Sequence, residues 1–194
     1  MPDGGRVVAG TARGLRLETP PEGTRPLTDR VKEALFAALD ASGALKGPFL
    51  DLFAGSGAAG IEALSRGAPS STFIERDGKA CAVIGSNLRR MHLERDAHVV
   101  RADVVSYLEG GTPAERTPYR ACVIDPPYED VVIERTLELL GDAARRWLTD
   151  DAVVVAKHFW RDDPPERAGR LERTRQRRFG ETMLSFYTPT EEGR

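Results

Sequence analysis

Val123–Asp130 reads VIDPPYED, a run whose residue types conflict with the element they close. The apolar residues before Asp125 suit a buried strand, yet Pro126 and Pro127 have no N–H to give a sheet. A residue preceding proline is driven toward extended conformations, so Asp125 and Pro126 are both held extended. The outcome is a stiff array of the Asp125 carboxylate, the Pro126 carbonyl and the Tyr128 ring. Two adjacent acceptors suit an amine with two N–H bonds. An exocyclic amine on a nucleobase is a poor nucleophile because its lone pair is delocalised into the ring. Acceptors aimed at both N–H bonds favour a more pyramidal nitrogen, and Tyr128 stacked on the base fixes the approach angle. The competing reading is a Pro-Pro turn leaving a strand, with Asp125 as a local cap and Tyr128 as packing.

A second chemical stretch is DLFAGSGAAG, in which Gly55, Gly57 and Gly60 satisfy G-x-G-x-x-G. Alone, that pattern also describes a nicotinamide dehydrogenase. Asp51 points elsewhere, because a dinucleotide fingerprint wants an apolar residue inside the strand, whereas a carboxylate there suits a ligand with an ammonium group. S-adenosylmethionine has that group and has no pyrophosphate for a helix N-terminus to hold. Glu75 ends the next strand, at about the spacing where an acid takes ribose hydroxyls. Asp103, in RADV, is positioned to accept from an adenine amine or, equally, to cap the helix that follows. With the flanking Phe53, Ala54, Ser56, Arg76 and Val104, these residues form the candidate cofactor-binding set.

These residues need a scaffold that brings strand ends together. From Phe49 the chain alternates apolar runs (FLDLFA, STFIER, HVVRAD, ACVIDP, AVVVAKHF) with amphipathic stretches of helical period (GAAGIEALSRGA, GKACAVIGSNLRRMHL, VVIERTLELLGDAARRWL). That pattern predicts a doubly wound α/β fold, whose ligands sit beyond the carboxyl ends of the strands. Before it, RVVAGTARGLRLETP predicts a β-hairpin carrying Arg6, Arg13 and Arg16, too small to fold alone. A helix RVKEALFAAL follows, capped by Thr28 or Asp29. Near the end, RLERTRQRRFGETMLSFYTP predicts a second hairpin turning at Phe179 and Gly180. The organisation expected is a hairpin extension and linker over 1–24 and one catalytic domain over 25–190.

The 194 residues allow one good core, and a net charge of −2 leaves nucleic-acid contact to local patches. His92, His98 and His158 with Cys81 and Cys122 have no metal-ligand spacing, so no metal is expected. No apolar run approaches a membrane span, and MPDGGRVVAG has no signal-peptide core. A soluble, cytoplasmic protein is expected, with no membrane contact.

Over nearly its whole length the chain resembles the RsmD family of bacterial 16S ribosomal RNA guanine-N2 methyltransferases. The likeness runs through RVVAGTARGLRL, RPLTDRVKEALF, LDLFAGSGAAGIEALSRGA, IERD, DPPY and FGETMLSFY, with RPLTDRVKEALF the most specific block. The resemblance implies a class I (Rossmann-like) S-adenosylmethionine-dependent methyltransferase with a seven-stranded sheet, its last strand antiparallel, and an N-terminal β-hairpin that helps hold RNA. It implies a cofactor pocket at Asp51, Gly55, Gly57, Glu75 and Asp103, and methyl transfer at Asp125, Pro126, Pro127 and Tyr128. Many family members have phenylalanine where this chain has Tyr128, and both rings stack. The expected substrate is 16S ribosomal RNA in the small ribosomal subunit or its assembly intermediate, with ribosomal proteins as neighbours and the enzyme a monomer. Arg25 and Arg30 are candidates for gripping phosphates beside the target base, with Arg6, Arg13 and Arg16 on the hairpin and the charge run Arg173, Arg175, Arg177 and Arg178 near the end as further RNA contacts, or simply as solvated faces. The alternatives are N6-adenine methylation of RNA or DNA and a non-catalytic ribosome-assembly factor.

Overall fold

A computed structural model of the chain describes residues 5–20, 27–112, 117–127 and 131–190. One mixed sheet organises it. The strands β1 (Phe49–Leu52), β2 (Ser71–Glu75), β3 (Ala97–Arg101), β4 (Tyr119–Ile124) and β5 (Leu148–Phe159) are parallel. Each parallel crossover carries a helix: α2 (Ala58–Ser65), α3 (Gly78–Arg90), α4 (Val104–Glu109) and α5 (Val131–Gly141), while α1 (Asp29–Ser42) precedes β1. β6 (Arg167–Ala168), β7 (Leu171–Phe179) and β8 (Thr182–Pro189) complete the order β3-β2-β1-β4-β5-β8-β7-β6, with β8 antiparallel to β5. The sheet therefore has eight strands where seven were expected. The extra one is the two-residue β6, too short for any sequence pattern to announce.

Side-chain alternation divides the sheet into two buried faces. Leu50, Leu52, Cys122, Ile124, Val154 and Ala156 pack with Val104 and Leu108 of α4 and Leu137 and Leu140 of α5. Phe49, Ala121, Val123, Val153 and Val155 pack with Leu35, Phe36 and Leu39 of α1. The same parity sends Asp51, Asp125 and Lys157 toward the α1 face, near the carboxyl ends of their strands. Between β1 and β4 the chain direction around the sheet reverses, and the crevice there is where such a fold binds its ligand.

Local chemistry sets the helix ends. Thr28 caps α1 by accepting from Val31 N, and Gly43 closes that helix in the left-handed region at φ 72°. The stretch expected to be helical through Leu148 stops at Gly141, and Asp142 caps a separate short turn, Ala143–Arg145. Close packing explains the stop, because a Cβ on Gly141 would lie 1.9 Å from the Ala168 carbonyl oxygen.

The N-terminal segment doubles back as expected, but its ladder is a single bridge, Arg6 to Arg16. Docking compensates for the short ladder. Val7, Ala12 and Leu17 are buried among Ile61 and Leu64 of α2 and Ile84 and Leu88 of α3. Glu62 accepts from Val8 N at 2.7 Å and Ala9 N at 3.0 Å, and Thr11 N donates to Ser65 O at 2.8 Å. Asn87 ties the segment to the core, donating to Glu18 O at 3.0 Å and to Ser56 O at 3.1 Å.

Candidate functional site

A cleft of about 390 Å³ opens at the carboxyl ends of β1, β2 and β4. The β1-to-α2 loop forms its floor. Phe53 turns the chain there with φ 62°, a strained backbone for a bulky residue, and Gly55 follows at φ 56°. Glu75 secures this loop, since its Oε2 accepts from Gly55 N at 2.9 Å and its Oε1 from Asp77 N at 2.8 Å. Asp103 caps α4, accepting from Ser106 N at 2.9 Å, and also lines the cleft. Ile74, Ala80 and Val104 give that end an apolar wall.

Asp51 is the buried acid of the site, 2% exposed, with Oδ2 accepting from Gly60 N at 2.8 Å. Burial raises its pKa well above the carboxylate range. The Gly60 hydrogen bond opposes that rise, and the Asp125 and Glu75 charges reinforce it. Asp125 N donates to Leu52 O at 3.3 Å, which fastens the end of β4 against β1. The Asp125 carboxylate meets Lys157 Nζ at 2.5 Å. Burial raises the Asp125 pKa and the Lys157 ammonium opposes it. The carboxylate acceptors Asp51, Glu75 and Asp103, beside the apolar wall, fit a ligand that carries an ammonium group, ribose hydroxyls and a flat base with an exocyclic amine.

Residues 5–188 match the protein-family model described as Conserved hypothetical protein 95. Ribosomal RNA small subunit methyltransferase D of Escherichia coli K12 is 33% identical over 189 residues, covering 97% of this chain and 91% of that protein. The chain belongs to the RsmD family. YlbH of Bacillus subtilis is 36% identical over 189 residues, 94% of this chain and 97% of that one. The solved structure of yhhF from Escherichia coli superposes with a TM-score of 0.81 at 34% identity, covering 95% of this chain and 97% of that one. The fold is that of the methyltransferases among these relatives.

Most residues singled out by the RsmD-like motifs converge on the cleft. Asp51, Phe53, Ala54, Gly55, Ser56, Glu75, Arg76, Asp103 and Val104 line it, as do Asp125, Pro126 and Pro127. Gly57 does not; it begins α2 at φ 80°, where a Cβ would press on Ile61 and Ile84 at 3.2 Å. Tyr128 and Arg25 lie outside the described residues. Arg6 is exposed and paired with Asp29 at 2.8 Å, Arg16 bridges to Arg6, and Arg13 lies at the turn beside Ser65, at the opposite end of α2 from the glycine loop. Arg30 is exposed at the start of α1. Sequence reading passed over Lys157, because a lysine closing an apolar strand looks like a solvated end. The signal was there: one of four lysines in the chain, at the carboxyl end of a strand neighbouring Asp125.

Proposed function

We propose that this protein transfers a methyl group from S-adenosylmethionine to the exocyclic N2 amine of a guanine in 16S ribosomal RNA. The observation that carries this is the rigid acceptor pair, Asp125 and Pro126, lining the same cleft as Asp51, Glu75 and Asp103. Family relatives named ribosomal RNA small subunit methyltransferase D support the RNA substrate.

The cofactor, when bound, supplies an electrophilic methyl group on a sulfonium. Asp51 takes its ammonium group, Glu75 its ribose hydroxyls, and Asp103 its adenine amine. Lys157 Nζ donates to Oδ1 of Asp125, and Oδ2 and the Pro126 carbonyl accept from the two N–H bonds of the target amine. Those two acceptors draw the nitrogen toward the geometry in which its lone pair can attack. The Lys157 ammonium opposes the rise that burial imposes on the Asp125 pKa, and so favours the ionised carboxylate, the stronger acceptor for an N–H bond. Once the methyl group has arrived, the nitrogen is strongly acidic and releases its proton to Asp125 Oδ2 or to water. Tyr128 stacks on the base. Docking uses a small-subunit particle, ribosomal proteins contribute to the contact, and the enzyme works as a cytoplasmic monomer.

The deciding experiment incubates the protein with labelled S-adenosylmethionine and unmethylated small ribosomal subunits, followed by nucleoside analysis. Labelled N2-methylguanosine at one position is expected. Labelled N6-methyladenosine overturns the base assignment, and absence of label in the presence of proven cofactor binding overturns catalysis.

A further inference from the structure

Five arginines gather where β5 ends and β7 turns into β8. Phe179 closes β7 opposite Thr182, and Thr182 in turn faces Phe159 at the end of β5. The guanidinium carbons of Arg30 and Arg177 lie 5.9 and 5.4 Å from the centre of the Phe179 ring. Those of Arg178 and Arg161 lie 3.8 and 5.0 Å from the Trp160 ring, and Arg175 sits 5.2 Å from Phe186. Two rings therefore each hold two cations at one rim of the molecule.

These arginines differ from others nearby. Arg173, on the same strand, is bound to Asp163 at 2.7 Å and to Glu166 at 3.3 Å. Arg170 is bound to Asp150 at 2.6 Å. Among the described residues, none of Arg30, Arg161, Arg175, Arg177 and Arg178 forms an ion pair, and all five are exposed. The acids beside them are engaged, Asp163 and Glu166 with Arg173 and Asp162 with Phe159 N. Like charges gathered at one exposed rim create a positive potential that favours an anionic partner.

The rim adjoins the cleft. Lys157, which holds Asp125, lies on β5 only two residues before Phe159, about 7 Å along the strand. Leu27 lines the cleft three residues before Arg30. The rim lies within reach of nucleotides flanking a base held at Asp125.

We propose that the Trp160–Phe179 rim is a stacking platform for single-stranded RNA, holding the nucleotides next to the target base. Exposed guanidinium groups backed by half-buried rings can stack on bases of any identity, while their charges hold phosphates. This rests on the RNA-methylation reading and deepens it by moving the main RNA grip from the N-terminal hairpin to the β7–β8 turn.

The test follows binding of a twelve-nucleotide single-stranded RNA by fluorescence anisotropy, beside steady-state methylation of small subunits. Trp160→Ala is expected to weaken RNA binding about tenfold, with Trp160→Phe restoring most of it. The double variant Arg177→Gln, Arg178→Gln should reduce the slope of log affinity against log salt by about 1.4, or 0.7 per charge. Both changes should raise KM for subunits, with kcat and the calorimetric affinity for S-adenosylmethionine unchanged. Wild-type RNA affinity in all variants overturns the platform. So does a KM rise for subunits with unchanged affinity for free RNA, which would assign the rim to a ribosomal protein. Failure of the wild-type enzyme to label subunits defeats the methylation reading, whereas the anisotropy series decides the platform separately.

Discussion

Two carboxylates, Glu62 and Asp51, are buried on either side of α2 and have opposite surroundings. Glu62 is fully buried and saturated, accepting from Val8 N, Ala9 N and, at 2.8 Å, Arg66 Nε. Asp51 is as deeply buried but accepts one hydrogen bond, from Gly60 N, and burial holds its pKa well above normal. The first acid is satisfied by its own chain and anchors the N-terminal segment. The second is left short of donors at the wall of the cleft, an expense of stability that the ammonium group of the proposed cofactor would offset.

Removing the saturated acid should have the largest effect. Glu62→Ala leaves two backbone N–H groups and Arg66 without their acceptor in the interior, and should lower unfolding free energy by about 3–5 kcal/mol in a denaturant titration. A loss below about 1 kcal/mol would mean the docked segment contributes nothing to the fold. Asp125→Ala should lower kcat about 10²- to 10⁴-fold with cofactor affinity little changed, measured by single-turnover methylation and calorimetry. A near-normal rate would remove the acceptor role.

Asp51→Asn should separate stability from binding. A carboxyl group whose pKa is raised on folding stabilises the fold below the ordinary carboxylate pKa, and that contribution is lost as pH rises through the raised value. Asparagine keeps the acceptor for Gly60 N without the charge. The variant should therefore melt higher than wild type at neutral pH, match it in acid, and bind S-adenosylmethionine at least about tenfold more weakly. A lower melting temperature with intact binding would reverse the comparison with Glu62.

Lys157→Met removes the ammonium that opposes the rise in the Asp125 pKa. The acid limb of the pH–rate profile should then move to higher pH, because the acceptor must be ionised. An unmoved limb would show that Lys157 only fills space. The smallest effect is expected for Asp103→Ala, which loses the cap on α4, about 1 kcal/mol of stability, together with a modest loss of cofactor affinity.

What the sequence by itself determined was everything governed by short-range pattern. The five parallel strands fall on the apolar runs, and the glycine loop follows β1 because only residues tolerant of positive φ, with Phe53 as the strained exception, can turn there. The DPPY run fixed its own stiffness through proline. Tertiary structure alone decided the rest. Whether Asp103 caps a helix or lines the cleft depended on where α4 lies, and it does both. Gly57 met the motif spacing yet packs against Ile61 and Ile84 instead of lining the cleft. Lys157 stands 32 residues from Asp125, and only parallel pairing of β4 with β5 brings them together. The arginines of the β7–β8 turn were visible as a charge run, but which were tied to carboxylates depended on contacts between distant segments. Spacing along a chain encodes the period of an element and the chemistry of its ends; which ends meet is set by the order of strands in the sheet.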